Sequence, residues 1–292
     1  MNFRQLFHLT LFVSLSFDIS CKKKSSTNPS SGYSDTPVAV SIPSGLEEAS
    51  GIADSYANNG CLWVEQDSGN PPALSLLGHD GVLRKTIPLR GATNTDWEDI
   101  TVSNGPDASK KYIYIGDFGD NNAVRSKCSI YRFEEPLLTL DSVRAYDKIE
   151  FSYADGPRDA ESLIIDPNSK DIYIITKRET KSRVYKLSFP YSVSNINTAN
   201  FVSELPYKGV TSAALRVEGG GLIIKTYSSI YLYSNPSGNT LPTTLAGNYT
   251  TLGYVVEQLG EAVTFKIDGS GFFTLSEKGP FGSQSLNFYK KK

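Results

Sequence analysis

The stretch ESLIIDPNSKDIYIITKRETKSRVYKL, Glu161 to Leu187, decides the fold. It holds three short apolar runs, Glu161-Ser-Leu-Ile-Ile165, Ile172-Tyr-Ile-Ile175 and Arg183 to Leu187, separated by polar turn segments. Runs this short, rich in β-branched and aromatic residues, read as antiparallel strands rather than helices. The pattern recurs on both sides. Upstream, Glu98-Asp-Ile-Thr-Val102 is followed by Tyr112-Ile-Tyr-Ile115, and Ser50-Gly-Ile-Ala-Asp54 by Cys61-Leu-Trp-Val64. Downstream, Ser212-Ala-Ala-Leu-Arg216 is followed by Leu222-Ile-Ile224, and Glu261-Ala-Val-Thr-Phe265 by Phe272-Phe-Thr-Leu275. A third run closes each remaining unit: Ala73 to Leu77, Ser129 to Phe133, Ser229 to Tyr233 and Ser285 to Tyr289.

The steps between Ser50, Glu98, Glu161, Ser212 and Glu261 are 48, 63, 51 and 49 residues. A repeat of that size with up to four strands per unit predicts an all-β chain folded as a β-propeller of five blades. The fifth unit lacks a fourth strand, because only Lys290 to Lys292 follow Tyr289. Val38-Ala-Val-Ser-Ile42 is placed to supply it, closing the ring and removing exposed sheet edges. A six-bladed ring with one degenerate unit, and a β-sandwich, are the alternatives.

The propeller is expected over residues 38–292, behind two short segments. Residues 1–20 read as an export signal, with Arg4 in a positive region and an apolar run from Leu6 to Phe17 too short to span a bilayer. Asp18-Ile-Ser-Cys21 resembles a bacterial lipoprotein cleavage box, which implies lipidation of Cys21, a bacterial cell-envelope location on the periplasmic or surface face, and a membrane partner through the anchor. An ordinary secretory signal is the alternative. Residues 21–37 read as a tether rich in Ser, Lys and Pro, with Lys22, Lys23 and Lys24 suited to anionic head groups.

Composition excludes several functions. The 292 residues carry a formal net charge of -2, without the basic excess of a nucleic-acid binder. Only two histidines occur, and His8 lies in the leader, so histidine-based triads and metal sites are not expected; His79-Asp-Gly81 reads as an exposed turn. Cys61 and Cys128 each start a strand, and the spacing leaves open either a disulfide or two separate thiols. A monomer is expected.

In a propeller the starts of first strands and the ends of second strands meet at one mouth of the central channel. Glu48, Glu98, Asp99, Glu161 and Glu261 lie at or just before the starts, together with Asp96 and Asp159. Asp67, Asp117, Lys177, Arg178, Lys225 and Glu277 lie at the ends, and Asp120 lies in the loop Gly116-Asp-Phe-Gly-Asp-Asn121. Apart from Asp96 and Asp159, these residues are the expected ligand-binding set. Carboxylates crowded together need a cation, shared protons or bases to remain there. Asp67, Glu98, Asp117, Glu161 and Glu261 are the expected ligands of a hard cation such as Ca²⁺. The competing role is structural, with each carboxylate accepting backbone N–H groups from the next blade.

Several runs together look like a family of uncharacterised exported bacterial propeller proteins. They are Glu48-Ala-Ser-Gly-Ile52, Asp67-Ser-Gly-Asn70, Asp96-Trp-Glu-Asp-Ile100, Gly116 to Asn121, Asp159-Ala-Glu161, Lys225-Thr-Tyr227, and Glu261-Ala-Val263 with Ser276-Glu277. The chain is more distantly similar to propellers grouped as SdiA-regulated or phytase-esterase-like, which implies calcium with phosphoester or ester chemistry. The functional expectation is therefore a lipoprotein whose mouth binds a small polar ligand, glycan or protein. The alternatives are a calcium-assisted hydrolase of a phosphoester or lactone, and an envelope scaffold.

Overall fold

The computed structural model describes residues 32–216, 220–235, 238–280 and 284–292. The signal segment, Cys21 and the tether up to residue 31 lie outside them. Tyr33, which the sequence reading puts in the tether, is buried edge-on to the Phe272 ring at 5.3 Å and bridges Lys291.

The chain is all-β, with one short helix among the described residues. After β1 (Val38–Ser41) come two antiparallel meanders: β2 (Ala49–Asp54), β3 (Cys61–Gln66), β4 (Ala73–Gly78) and β5 (Leu83–Pro88), then β6 (Trp97–Asn104), β7 (Lys111–Asp117), β8 (Cys128–Glu134) and β9 (Asp147–Tyr153). A third follows in β10 (Ala160–Ile165), β11 (Ile172–Thr176), β12 (Arg183–Leu187) and β13 (Asn197–Glu204). The fourth comprises β14 (Val210–Leu215), β15 (Leu222–Thr226), β16 (Ile230–Tyr233) and β17 (Tyr249–Thr251). Helix α1 (Leu241–Leu245), capped by Thr240, precedes β17. The last unit has β18 (Ala262–Phe265), β19 (Gly271–Leu275) and β20 (Ser285–Lys290).

β1 fills the fourth position of the last unit, pairing antiparallel with β20 from Val38–Phe288 to Ser41–Ser285. β13 pairs parallel with β9, so the second and third meanders form one eight-stranded sheet. That sheet curls until its edges, β6 and β10, lie against each other. The first strands complete a cycle: β2 packs on β6, β6 on β10, β10 on β14, β14 on β18, and β18 on β2.

The periodic strands form because both of their faces are buried, so near-continuous runs such as Ile172–Thr176 suffer no exposed apolar side. Five apolar clusters separate the neighbouring meanders. Trp63 and Trp97 are buried in one of them, with their indole N–H groups bonded to Glu135 Oε1 (2.9 Å) and the Thr93 carbonyl (3.1 Å). Cys61 and Cys128 are free thiols.

Candidate functional site

A repeated irregularity builds the site. In four meanders the ladder between first and second strand skips one residue at the same place. The skipped residues are Ser50, Glu98, Glu161 and Thr211. Such β-bulges leave one residue unpaired and re-aim its side chain. Here they turn Glu98 and Glu161 toward the end where second strands finish at Gln66, Asp117, Thr176 and Thr226. Glu261 stands just before the first pair of β18 with β19, Ala262–Leu275, at the same end.

One step inward, the side chains close the channel. Asp99, fully buried, accepts from Ile100 N (3.0 Å) and from Leu163 N on β10 (2.9 Å), and from Ser212 Oγ on β14 (3.0 Å). Three first strands are thereby tied through one carboxylate. Burial nonetheless pushes its pKa well above the ordinary value, with those hydrogen bonds pulling the other way. Gly51 is required beside it. A Cβ there would stand 2.7 Å from Glu65 Oε1 and 2.7 Å from Ile100 N. Glu65 itself is fully buried and neither oxygen accepts a well-formed hydrogen bond. Burial, then Asp99 and Asp67, drive its pKa well upward.

Nearer the solvent, two triads of carboxylates share Glu98. Asp67, Asp96 and Glu98 each present an oxygen within 4.8 Å of the others, and so do Glu98, Asp159 and Glu161. The triads differ in their neutralisation. Glu161 pairs with Lys177 Nζ at 2.8 Å, and Asp159 pairs with Arg178 Nε at 2.5 Å while accepting Asp120 N at 2.9 Å. Glu98 is 5% exposed and, among the described residues, has neither an ion pair nor a side-chain hydrogen bond. The Asp67 carboxylate accepts the neighbouring Ser68 N–H and lies against Asp96. Burial, followed by the charges of Glu161, Asp67 and Asp96, drives the Glu98 pKa well upward. Burial and then Asp67 push Asp96 to about 6. Glu161 is pushed to about 8, chiefly by burial and further by Glu261, against the pull of Lys177.

The remaining expected residues take varied places. Asp117 supports the loop before β6, accepting Asp96 N (3.2 Å) and Thr95 N (3.4 Å) and pairing with Arg125 at 2.9 Å. Asp120 accepts Arg125 N at 2.7 Å. Both therefore shape the loops and do not join the triads. Lys225 is fully buried; it donates to the Gly260 carbonyl and faces Glu257 at 3.7 Å, and burial lowers its pKa. Glu277 is half-buried, and burial with Glu261, Glu48 and Asp67 pushes it to about 7. Glu48 is exposed at the rim.

Asp96 and Asp159 join the triads although they were not among the expected cation ligands. The signal for them was present: Asp96-Trp-Glu98 and Asp159-Ala-Glu161 repeat one Asp-x-Glu spacing at the same position of successive units. Arg125 carried no such signal, whereas Glu65 stands in the run Glu65-Gln-Asp67 that leaves the second strand of the first unit. Gly119 is the other silent requirement, since a Cβ there would run into Glu98 Oε1 and Asp96. His79, expected to be exposed, instead meets Asp54 Oδ1 at 2.5 Å and the Phe273 ring at 4.6 Å.

Two other concavities among the described residues differ from this site. The far end of the channel, lined by Asp54, Thr101, Ala214 and Thr264, encloses about 30 Å³, room for roughly one water. A groove of about 530 Å³ between Phe133 and Ala145 is formed by one loop, and its buried Glu135 is already held by Ser55 Oγ (2.6 Å) and Trp63 Nε1 (2.9 Å).

No protein-family model matches the chain, and no curated protein matches it. The buried acidic triads can hold a metal ion.

Proposed function

We propose that this chain is an exported lipoprotein whose body is a five-bladed β-propeller, and that its acidic mouth binds a divalent cation of the calcium class together with a small polar ligand, glycan or protein. The cyclic packing of the first strands and the pairing of β1 with β20 support the five-bladed reading. The runs Asp96 to Ile100 and Gly116 to Asn121 support membership of the uncharacterised exported propeller family. Export and lipidation rest on the apolar leader and Cys21.

The observation that carries the cation is Glu98, a residue 5% exposed that has no ion pair or side-chain hydrogen bond among the described residues and has four acidic neighbours. An unpaired buried charge costs several kcal/mol, and a bound cation removes that cost. The cation belongs with Asp67, Asp96 and Glu98, because Lys177 and Arg178 already neutralise Glu161 and Asp159. Hard cations of this class take oxygen ligands at about 2.3–2.6 Å. Isothermal titration with CaCl₂ tests the reading. Wild type binds, and Glu98→Gln binds at least about 10-fold more weakly. Equal binding by Glu98→Gln, or none by wild type, overturns it.

Hydrolysis of a phosphoester or lactone is the second reading. It is favoured by Glu277, which lies outside that ligand set and is pushed to about 7, a carboxyl that can take a proton from water near neutral pH. Calcium-dependent turnover of a nitrophenyl phosphoester or ester, lost in Glu98→Gln, supports it. Binding without turnover leaves the mouth a recognition site.

A further inference from the structure

The end of the channel opposite the acidic mouth has its own chemistry. Second strands finish at the mouth. The third strands run antiparallel beside them and so finish at the other end, at Gly78, Glu134, Leu187, Tyr233 and Lys290. The loops that follow β8 and β12 therefore leave from that end, and both are apolar at the surface. Leu137, Leu138 and Leu140 are 43–58% exposed, and Phe189, Val193 and Ile196 are 40–57% exposed. One base links the two loops. Arg132 pairs at 2.6 Å with Asp147, where the first loop ends, and donates to the Tyr191 hydroxyl of the second at 3.2 Å. A groove of about 530 Å³ opens along the first loop, with Leu137, Leu140, Val143 and Arg144 in its walls.

The fold does not need these leucines. Their turn is pinned through backbone atoms: Leu140 N donates to the Leu137 carbonyl (2.9 Å), Leu138 N to Asn58 Oδ1 (2.8 Å), and Lys85 Nζ to the Leu138 carbonyl (3.0 Å). Polar side chains would leave those bonds intact, so three exposed leucines in four residues answer to something outside the chain. The charges around them favour a lipid surface. Glu134, Asp141 and Asp268 are each met by a lysine at 2.6–2.7 Å. Asp107 is exposed without an ion pair; against it stand Arg144, Lys290 and Lys291, also exposed and without one among the described residues. The described chain enters at this end too: Tyr33 bridges Lys291, and Ser34 N donates to the Lys290 carbonyl at 2.8 Å. Apolar side chains flanked by unpaired bases suit the interface of an anionic bilayer, whose acyl region takes the former and whose phosphates take the latter.

We propose that this end of the folded body docks on an anionic phospholipid surface. The turn at 137–140 and the loop at 188–196 enter the acyl region, and Arg144, Lys290 and Lys291 meet the phosphates. The acidic mouth then opens away from the membrane, toward water. This contact adds to the lipid proposed for Cys21 and does not depend on it.

The test is co-sedimentation of the full mature chain carrying Cys21→Ser, which takes no lipid, with vesicles of phosphatidylglycerol and phosphatidylcholine and with vesicles of phosphatidylcholine alone. The chain binds the mixed vesicles at least about 10-fold more tightly, and added salt weakens that binding. Leu137→Ser with Leu138→Ser weakens it by about 10-fold or more at an unchanged melting transition, as does Lys290→Gln with Lys291→Gln. Val193→Ser with Ile196→Ser reads the second loop in the same way, so the test does not hang on the stability of one variant. Lys22→Gln, Lys23→Gln and Lys24→Gln together leave most of the binding in place. Tryptophan quenching by brominated lipid reads the orientation: Leu138→Trp is quenched on binding, and Val124→Trp, exposed in the loop between β7 and β8 at the mouth end, is not. No binding to mixed vesicles, binding unchanged by the leucine and lysine variants, binding abolished by the tether variant, or quenching of Val124→Trp in place of Leu138→Trp would overturn the proposal. So would an oligomer in lipid-free solution that the leucine variant dissolves, since the surface would then be a contact between copies of this chain.

Discussion

Glu98 and Asp99 are sequence neighbours with opposite roles. Asp99 is spent on the fold: its oxygens collect donors from residues 64 and 113 positions away. Glu98 has no such use. The two should therefore separate in mutagenesis. Asp99→Ala strands the Leu163 and Ile100 N–H groups and is expected to cost about 2–5 kcal/mol by chemical denaturation. Glu98→Gln in calcium-free buffer is expected to leave stability within about 0.5 kcal/mol or to raise it, because it replaces a carboxyl whose ionised form burial and its acidic neighbours disfavour. A large loss from Glu98→Gln would assign it to the scaffold. Gly119→Ala pushes a methyl into Glu98 and Asp96 and is expected to weaken calcium by about 10-fold while the chain still folds. The approach of Glu98 to Glu161 was legible in the sequence, since each marks the same point of a repeat. The commitment of Asp99 was not, because its partners are set by the closure of the ring and by no local pattern.

At the scale of elements, the inner strands announced themselves because burial on both faces enriches them in Ile, Leu and Tyr. The outer strands did not. β5 is half polar and largely exposed, and β17 is three exposed residues, so neither carries a strong alternation. Helix α1 is a single capped turn holding Pro242, too short for a helical period to register. The four bulges were also invisible, since one skipped residue changes pairing without changing composition. β1 makes a sharper prediction. Without it, β20 presents an unpaired edge from Ser285 to Phe288. Compared with a chain beginning at Gly32, one beginning at Ile42 is expected to melt at least several degrees lower and to associate with rising concentration. Calorimetry and light scattering check this; unchanged behaviour would mean that β1 does not close the structure.

At the scale of the molecule, a net charge of -2 hides a strongly uneven distribution. Acidic groups gather at one end of the channel, and their raised pKa values have a thermodynamic sign. A carboxyl with a folded pKa above its unfolded value binds more protons in the folded state, so stability falls as pH rises between the two values. With Asp96 at about 6, Glu277 at about 7 and Glu161 at about 8, the calcium-free melting temperature is expected to fall steadily from about pH 5 to pH 8. Saturating calcium should flatten that slope, because the cation favours the ionised carboxylates it binds, and its binding should release protons near neutral pH. A calcium-free profile that rises over this range would contradict the assigned shifts.

The most direct measurement is anomalous diffraction from crystals soaked in Mn²⁺, a hard cation with a strong anomalous signal. One peak is predicted among the carboxylates of Asp67, Asp96 and Glu98. A saturated soak with no peak there, or with manganese bound only on outer surfaces, would contradict the assignment of the acidic mouth as a cation site.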